Sequence, residues 1–272
     1  MKFVIILIAV LAVNGELCAQ KPSRVMVIAH RGASAYAPEN TIAAFRKAVE
    51  LKADALEVDV RQSKDAHLVI LHDATVNRTT NGKGNVADLT LDELRQLDAG
   101  SWFNGEFEGE GIPTLEEVVA LLDTTTVLII EVKEGSTIYP NIERHVVDVI
   151  KNSGKEKQVI LKSFDREVLD KLKELAPSIA RLYVYAFHIP WLGLVIDRGI
   201  TVGDVFDVDV QYLQPHWYLL TQSFTKSAQQ KGLKVVAWGV DDEKDMKKAI
   251  SYGVDGIETD YPDVLRKVIN KN

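Results

Sequence analysis

The chain has 272 residues, of which 46% are hydrophobic and 26% charged, with a formal net charge of −7 at pH 7. That composition belongs to a folded globular domain and excludes a disordered or fibrous chain. The acidic balance argues against nonspecific binding to nucleic acid, and no basic stripe, zinc-ligand spacing or aromatic RNA-binding motif offsets it.

Residues 1–20 have the pattern of a secretory signal: a positive start at Lys2, an apolar run over 3–13 and a more polar end over 14–20. A helix needs roughly 20 apolar residues to cross a bilayer, so this run predicts no stable membrane span. The expectation is an exported protein, periplasmic or secreted, cleaved near Ala19 or Gln20. Its mature domain, 21–272, then contains no cysteine, because Cys18 is the only one, and disulfides are excluded.

From there, strand-like and helix-like runs alternate, which is the mark of a parallel sheet. Residues 25–29 read as a strand. Residues 41–51 read as a helix, with apolar positions at Ile42, Phe45 and Val49 and Thr41 as its cap. A second strand covers 55–60, and a turn at 64–66 leads to a short extra strand over 68–71. Residues 73–112 interrupt the rhythm as an elaborated loop with a short helix near 91–97. The alternation then resumes: helix 115–122, strand 127–132, helix 142–150, strand 159–161, helix 166–175 ended by Pro177, and strand 181–185. The aromatic and apolar stretch 188–203 reads as a partial helix. Strand 208–213, helix 223–230, strand 234–238, helix 243–252, strand 256–259 and helix 262–269 complete the chain. Eight such units predict an α/β fold, a single (β/α)₈ TIM barrel with an elaborated loop after strand two.

In such a barrel chemistry sits at the C-terminal ends of the strands, and the polar residues gather there. His30 and Arg31 follow the first strand, Glu57 and Asp59 close the second, Glu131 and Lys133 the third. Lys162 and Ser163 follow the fourth strand, Trp238 ends the seventh, and Glu258 and Asp260 end the eighth. Glu57 and Asp59 stand at i and i+2 on one face of a strand. With Glu131 they form a set of carboxylates that would repel one another unless a cation neutralised them. Oxygen-only ligation favours Ca²⁺ or Mg²⁺; a salt-bridge network with Arg31 and Lys133 is the alternative. His30 and His72 are the acid/base candidates, since imidazole exchanges protons near neutral pH, and which is acid and which base stays open. Arg31 and Lys133 are anion binders, a fork and a point charge for phosphate oxygens. Trp238 and Phe164 offer aromatic faces to the carbon part of a ligand, with ordinary rim packing as the alternative. Glu39 and Asn40 lie in the loop before the first helix and orient it. His145, on a helix with charged neighbours, is expected to be solvated. These are the parts of a metal-assisted phosphate-ester cleavage.

The ordered series His30-Arg31-Gly32, Pro38-Glu39-Asn40-Thr41, Ala44-Phe45, Glu57-Val58-Asp59-Val60 and His72-Asp73 resembles the opening signature of the glycerophosphodiester phosphodiesterase family. The likeness continues through Arg78-Thr79-Thr80, Leu97-Asp98-Ala99-Gly100, Ile112-Pro113-Thr114-Leu115, Glu131-Val132-Lys133, Ser163-Phe164-Asp165, Ala237-Trp238 and Asp255-Gly256-Ile257-Glu258-Thr259-Asp260. It spans nearly the whole chain after residue 24. The resemblance implies Glu57, Asp59 and Glu131 as ligands of a divalent ion. It also implies a small-molecule glycerophosphodiester substrate, hydrolysed to sn-glycerol 3-phosphate and an alcohol. Two alternatives accompany it: a lysophospholipase D or sphingomyelinase-D-like phosphodiesterase, whose wider apolar mouth would involve residues 186–220, and a noncatalytic phosphate- or headgroup-binding barrel.

Overall fold

The structure, a computed structural model, describes residues 25–185, 187–189, 194–196, 200–202 and 205–271, without the side chains of 187–202. The expected signal segment, 1–20, lies outside the described residues. Eight parallel strands close into a barrel: β1 (Met26–Ala29), β2 (Ala55–Gln62), β4 (Val127–Val132), β5 (Val159–Ser163), β6 (Ala180–Tyr185), β10 (Tyr212–Pro215), β11 (Lys234–Ala237) and β12 (Gly256–Thr259), with β12 paired back onto β1. β3 (Leu68–Ile70) adds antiparallel to the outer end of β2. Helices α1 (Ile42–Glu50), α3 (Leu115–Leu121), α4 (Ile142–Ser153), α5 (Arg166–Leu175), α6 (Gln222–Gln230), α7 (Glu243–Ser251) and α8 (Pro262–Lys271) surround it, while the one-turn α2 (Leu91–Leu94) lies in the long loop. The TIM barrel read from the strand–helix alternation is the fold observed.

The pleat of the strands decides what points inward. Successive side chains alternate, and β2 shows the consequence: Leu56, Val58 and Val60 join the outer core with α1, α3 and α4, while Ala55 joins the apolar barrel interior. Glu57 and Asp59 share the inward parity of Ala55. The same rule lines up Ile129 and Glu131 on β4, Ile160 and Lys162 on β5, and Val236 and Trp238 along β11. Ile28, Ala55, Ile129, Ile160, Leu182, Val184 and Val236 thus fill the lower interior. Two residues further along several of these strands comes an ionised layer. A second outer cluster, with Leu213, Val235, Ile257, Met246 and Leu265, seals α6, α7 and α8 to the other half of the barrel.

Local chemistry sets the helix starts. Thr41 caps α1 through a bond from the Ala44 amide, and Thr114 forms a reciprocal capping box with Glu117 at α3. The turn from β1 into α1 needs Gly32: its φ is +84°, and a Cβ there would lie 2.7 Å from the Ala44 backbone carbon.

Three sequence expectations change. The fourth barrel strand was expected over 159–161 but runs to Ser163, so Lys162 lies inside the strand and inside the barrel. The strand expected over 208–213 begins only at Tyr212; Val205 and Val210 are buried in the outer core from irregular backbone, which gave that stretch its strand-like pattern. The described residues of 188–203 are strands, where a partial helix was expected. The described backbone there forms an antiparallel meander, β7 (Phe187–Ile189), β8 (Leu194–Ile196) and β9 (Ile200–Val202), inserted after β6 on the C-terminal side of the barrel. Its side chains, His188 and Trp191 included, lie outside the described residues.

The long loop has its own small core of Val69, Leu71, Val76, Val86, Leu94, Ala99 and Ile112. A Cβ on Gly100 would come within 1.8 Å of the Phe107 carbonyl oxygen. Gly100→Ala is therefore expected to cost about 1–3 kcal/mol of stability through overpacking. Limited proteolysis should cut 73–112 in this variant before the barrel opens; a cleavage pattern unchanged from the wild type would contradict the close approach.

Candidate active site

Strand register builds the site. Asp59 on β2 pairs with Glu131 on β4, which in turn pairs with Lys162 on β5. One ring of the barrel thereby brings two acids and an ammonium abreast, with Glu57 one inward position below Asp59. Donor oxygens of Glu57, Asp59 and Glu131 lie within 4.8 Å of one another, and all three residues are buried. This all-carboxylate set fits a hard divalent cation by charge and donor type.

Each acid also has protein cations. Lys133 Nζ reaches Asp59 at 3.0 Å and contacts Glu131. Arg31 Nε is 3.2 Å from Asp59, and the Arg31 amide donates to Glu57 at 3.0 Å. Lys162 Nζ donates to Glu57 at 2.8 Å and to both oxygens of Glu258 at 3.1 Å, and lies 3.3 Å from Glu131. The pKa values follow from these contacts. Burial opposes the charge on Asp59, but Lys133 and Arg31 outweigh it and hold the carboxyl well below its usual range. At Glu131, Lys133 and Lys162 likewise overcome burial and lower the pKa. At Glu57 burial prevails over Lys162, and the negative Asp59 and Glu258 add to it, pushing the carboxyl up to about 7. Burial works against the Lys162 ammonium, yet Glu258, Glu57 and Glu131 raise it well above the lysine range.

The two histidines are each held by an aspartate through Nδ1. His30 meets Asp260 at 2.7 Å, and Ser34 Oγ donates to the same carboxylate oxygen at 2.8 Å. His72 meets its neighbour Asp73 at 2.7 Å. Their electrostatics diverge. Burial alone would lower both imidazoles. At His30 the Asp260 hydrogen bond and the charge of Glu258 reverse that effect and raise the pKa to about 9. At His72 burial, aided by the charges of Lys133 and Arg31, prevails over Asp59 and lowers it.

A ring of positioning contacts surrounds these groups. Arg31 Nη1 donates to Glu39 at 2.9 Å, and Asn40 Nδ2 donates to Asp59 at 2.8 Å. Arg78 forks onto Asp73 and Glu39 with bonds of 2.7–3.1 Å. Arg61 grips the His72 carbonyl at 2.6 and 2.9 Å. Both Arg31 and Asn40 adopt positive φ, +53° and +59°, strain concentrated in the loop that shapes the site. A cavity of about 220 Å³ opens beside His72, Glu131, Lys133 and Phe164. Phe164 and Trp238 meet edge to face with centroids 6.3 Å apart.

The structure thus brings together His30, Arg31, Glu57, Asp59, His72, Glu131 and Lys133, with Phe164 and Trp238 at the rim. It adds Lys162, Glu258 and Asp260, which the sequence had placed at strand ends without a partner, Asp73, which stood only in the His72-Asp73 signature, and Gln214, which donates to Glu258 at 2.7 Å. Inward parity would have found Gln214 and Lys162 had their strands been drawn to Pro215 and Ser163; nothing local to Asp260 signals its bond to a residue 230 positions away. His145 stands apart and is half-buried rather than solvated, bonded to Gln62 at 3.1 Å.

The profile of the Glycerophosphoryl diester phosphodiesterase family matches residues 30–264. The chain is similar to the glycerophosphodiester phosphodiesterase of Caldanaerobacter subterraneus, 41% identical over 251 residues that cover 91% of this chain and 99% of that one. It is also similar to one from Bacillus subtilis, 34% identical over 261 residues, covering 91% and 87% of the two chains. Among solved structures, an Oleispira antarctica phosphodiesterase in complex with the product sn-glycerol-3-phosphate superposes with a TM-score of 0.80. The two are 32% identical, with 90% of this chain and 96% of that chain covered.

His30 gives a pH signature. Its folded pKa lies above the free value of about 6.5, so its pairing contributes stability that is complete below about pH 6.5 and is lost as pH rises through about 9. Asp260→Asn should bring the His30 titration down, read by NMR in metal-free protein. The stability gap between wild type and variant should be widest below about pH 6.5. A His30 titration unmoved by the substitution would refute the Asp260 pairing.

Proposed function

Since this chain belongs to the glycerophosphoryl diester phosphodiesterase family, a family of phosphoric diester hydrolases, we propose that it hydrolyses glycerophosphodiesters with a divalent cation and the imidazoles of His30 and His72. The observation that carries this reading is the convergence of three buried carboxylates, Glu57, Asp59 and Glu131, with two aspartate-held imidazoles on the C-terminal face of the barrel. The substrate class is supported by the product complex of the Oleispira phosphodiesterase.

Glu57, Asp59 and Glu131 would hold the cation. Bound there, Ca²⁺ or Mg²⁺ supplies Lewis-acid polarisation of the phosphoryl oxygens and neutralises their charge. The residues do the rest. Arg31 and Lys133, already fixed by Asp59, Glu39 and Glu131, cradle the phosphate and offset charge building on its oxygens. Each histidine keeps Nδ1 on its aspartate, leaving Nε2 free to exchange a proton with the reacting group. The opposed surroundings divide the labour: His30, held protonated, donates to the leaving alkoxide, and His72, held neutral, accepts from the attacking hydroxyl or water. Phe164 and Trp238 give the carbon part of the substrate an apolar wall. The leader pattern over residues 1–20 supports export to the periplasm or the medium, where this activity releases glycerol phosphate from lipid debris. N-terminal sequencing of the exported protein would test that placement; a mature form beginning at Met1 would refute it.

The decisive experiment offers the purified protein glycerophosphocholine, glycerophosphoethanolamine, glycerophosphoinositol and a lysophospholipid, each with EDTA and then with Ca²⁺ or Mg²⁺ restored. Release of glycerol phosphate that stops with EDTA and returns with metal is the expected result. Turnover of the lysophospholipid alone would move the assignment to a lysophospholipase D. His30→Ala and His72→Ala should each keep the fold and lower kcat by about 10²- to 10⁴-fold; near-normal rates in both would end the acid/base assignment. Glu57→Gln should raise the metal concentration needed for half-maximal rate, and an unchanged metal response would remove Glu57 from the ligand set.

A further inference from the structure

Lys162 is the group for which the proposed reaction has no task. Its side chain is 3% exposed, and no step above uses it. It rises from β5 and meets Glu258 on β12, the strand diametrically opposite in the ring of eight. The lysine stem therefore crosses the barrel axis. Its ammonium ends within 3.3 Å of three carboxylates from three different strands: Glu57, Glu131 and Glu258. Gln214 from β10 braces Glu258 from a fourth. Glu57 and Glu258 form, with His30, a second set of donor atoms within 4.8 Å of one another, sharing Glu57 with the first set. Lys162 makes the direct ion pairs to both carboxylates of that second set.

We propose that Lys162 is the resident counter-ion of the carboxylate layer. In the metal-free chain it performs the neutralisation that a divalent ion performs when bound, so the barrel assembles before metal arrives and metal is not a folding requirement. The argument is one of charge in a confined volume. Buried carboxylates without a cation repel one another and resist desolvation. Lys133 and Arg31 serve Asp59 and Glu131 from the rim, whereas Lys162 is the only direct ion-pair partner of Glu258 among the described residues, the His30 imidazole standing farther off, within 4.8 Å. Removing one member of a buried ion cluster strands the others. The metal half of this proposal rests on Glu57, Asp59 and Glu131 as the ligand set; the counter-ion half does not.

Thermal unfolding of the full chain, followed by circular dichroism, tests both halves with Lys162→Met, a near match in length without charge, and Lys162→Met combined with Glu258→Gln. In EDTA the single variant should melt about 10 °C below wild type. The double variant, relieved of one stranded carboxylate, should melt above the single one. Saturating Mg²⁺ or Ca²⁺ should raise the melting temperature of Lys162→Met more than that of wild type. A single variant as stable as wild type in EDTA would overturn the proposal. So would a double variant no more stable than the single, since the loss would then be one of packing. If Lys162→Met fails to fold in EDTA, refolding of the double variant supports the proposal, and failure of both overturns it. Equal stabilisation of wild type and variant by metal would overturn the metal half. A wild type that shows neither metal-dependent melting nor metal-dependent turnover would instead refute the ligand set, leaving the comparison in EDTA to judge the counter-ion.

Discussion

The structure depends on one constraint: ionised groups are buried inside a barrel whose lower interior is apolar, and their charges must cancel. Glu57, Asp59, Glu131 and Glu258 are each at most 4% exposed. Isolated carboxylates at that depth would not stay charged. Here Lys162 and Lys133 sit among them and Arg31 closes one edge, which offsets that cost. The balance is uneven, and the unevenness is informative. Asp59, with two cations, is driven well below the usual range, while Glu57, with Lys162 and two acidic neighbours, is pushed up to about 7. Glu57 is thus the acid most in need of a further positive charge, and it stands among the proposed ligands.

That layer exists because a period-two pattern is carried on strands of fixed register. Ile28, Ala55, Ile129 and Ile160 make the floor. The residues two further along each strand are His30, Glu57, Glu131 and Lys162, so the same parity that builds the floor aims the polar groups into the mouth. A one-residue slip in any strand would turn its charge into the outer helix core and its apolar residues into the site. The packing of α1, α3 and α4 against Leu56, Val58, Leu128 and Ile130 therefore positions the chemistry as well as stabilising the fold.

Much of this was legible in the sequence because both signals are local. The strand–helix alternation gave the barrel, and polar residues at strand ends gave His30, Glu57, Asp59, Glu131 and Lys133. What escaped was long-range or depended on strand ends. Lys162 looked like a residue beyond its strand, because Ser163 gives no apolar signal that the strand continues. Its partners Glu57 and Glu258 are 105 and 96 positions away, a pairing only barrel closure creates. Gln214 was hidden because its strand was expected to end at 213. The meander over 187–202 was missed because an aromatic, apolar run has no helical or alternating period of its own to decide between helix and strand.

The elaborated loop after the second strand is costly in chain length, and the site explains what it does. It starts at Asp73, just past β3 and His72, and His72 lines the same cavity as Lys133. The loop does not arrive there on one contact. Arg61, from β2, holds the His72 carbonyl from below. Arg78, from the loop itself, forks onto Asp73 and reaches across to Glu39. Glu39 in turn holds Arg31, the residue next to His30. A continuous chain of charge-assisted hydrogen bonds, His72–Asp73–Arg78–Glu39–Arg31, therefore links the His72 imidazole to the residue covalently next to His30, and it uses none of the three proposed metal ligands as a link. Such bonds are shorter and stronger than neutral ones, and here they tie His72 to the loop that carries His30 by protein contacts alone. Arg31 joins positioning to charge neutralisation, because it pairs with Glu39 at the end of this chain and with Asp59 in the carboxylate layer.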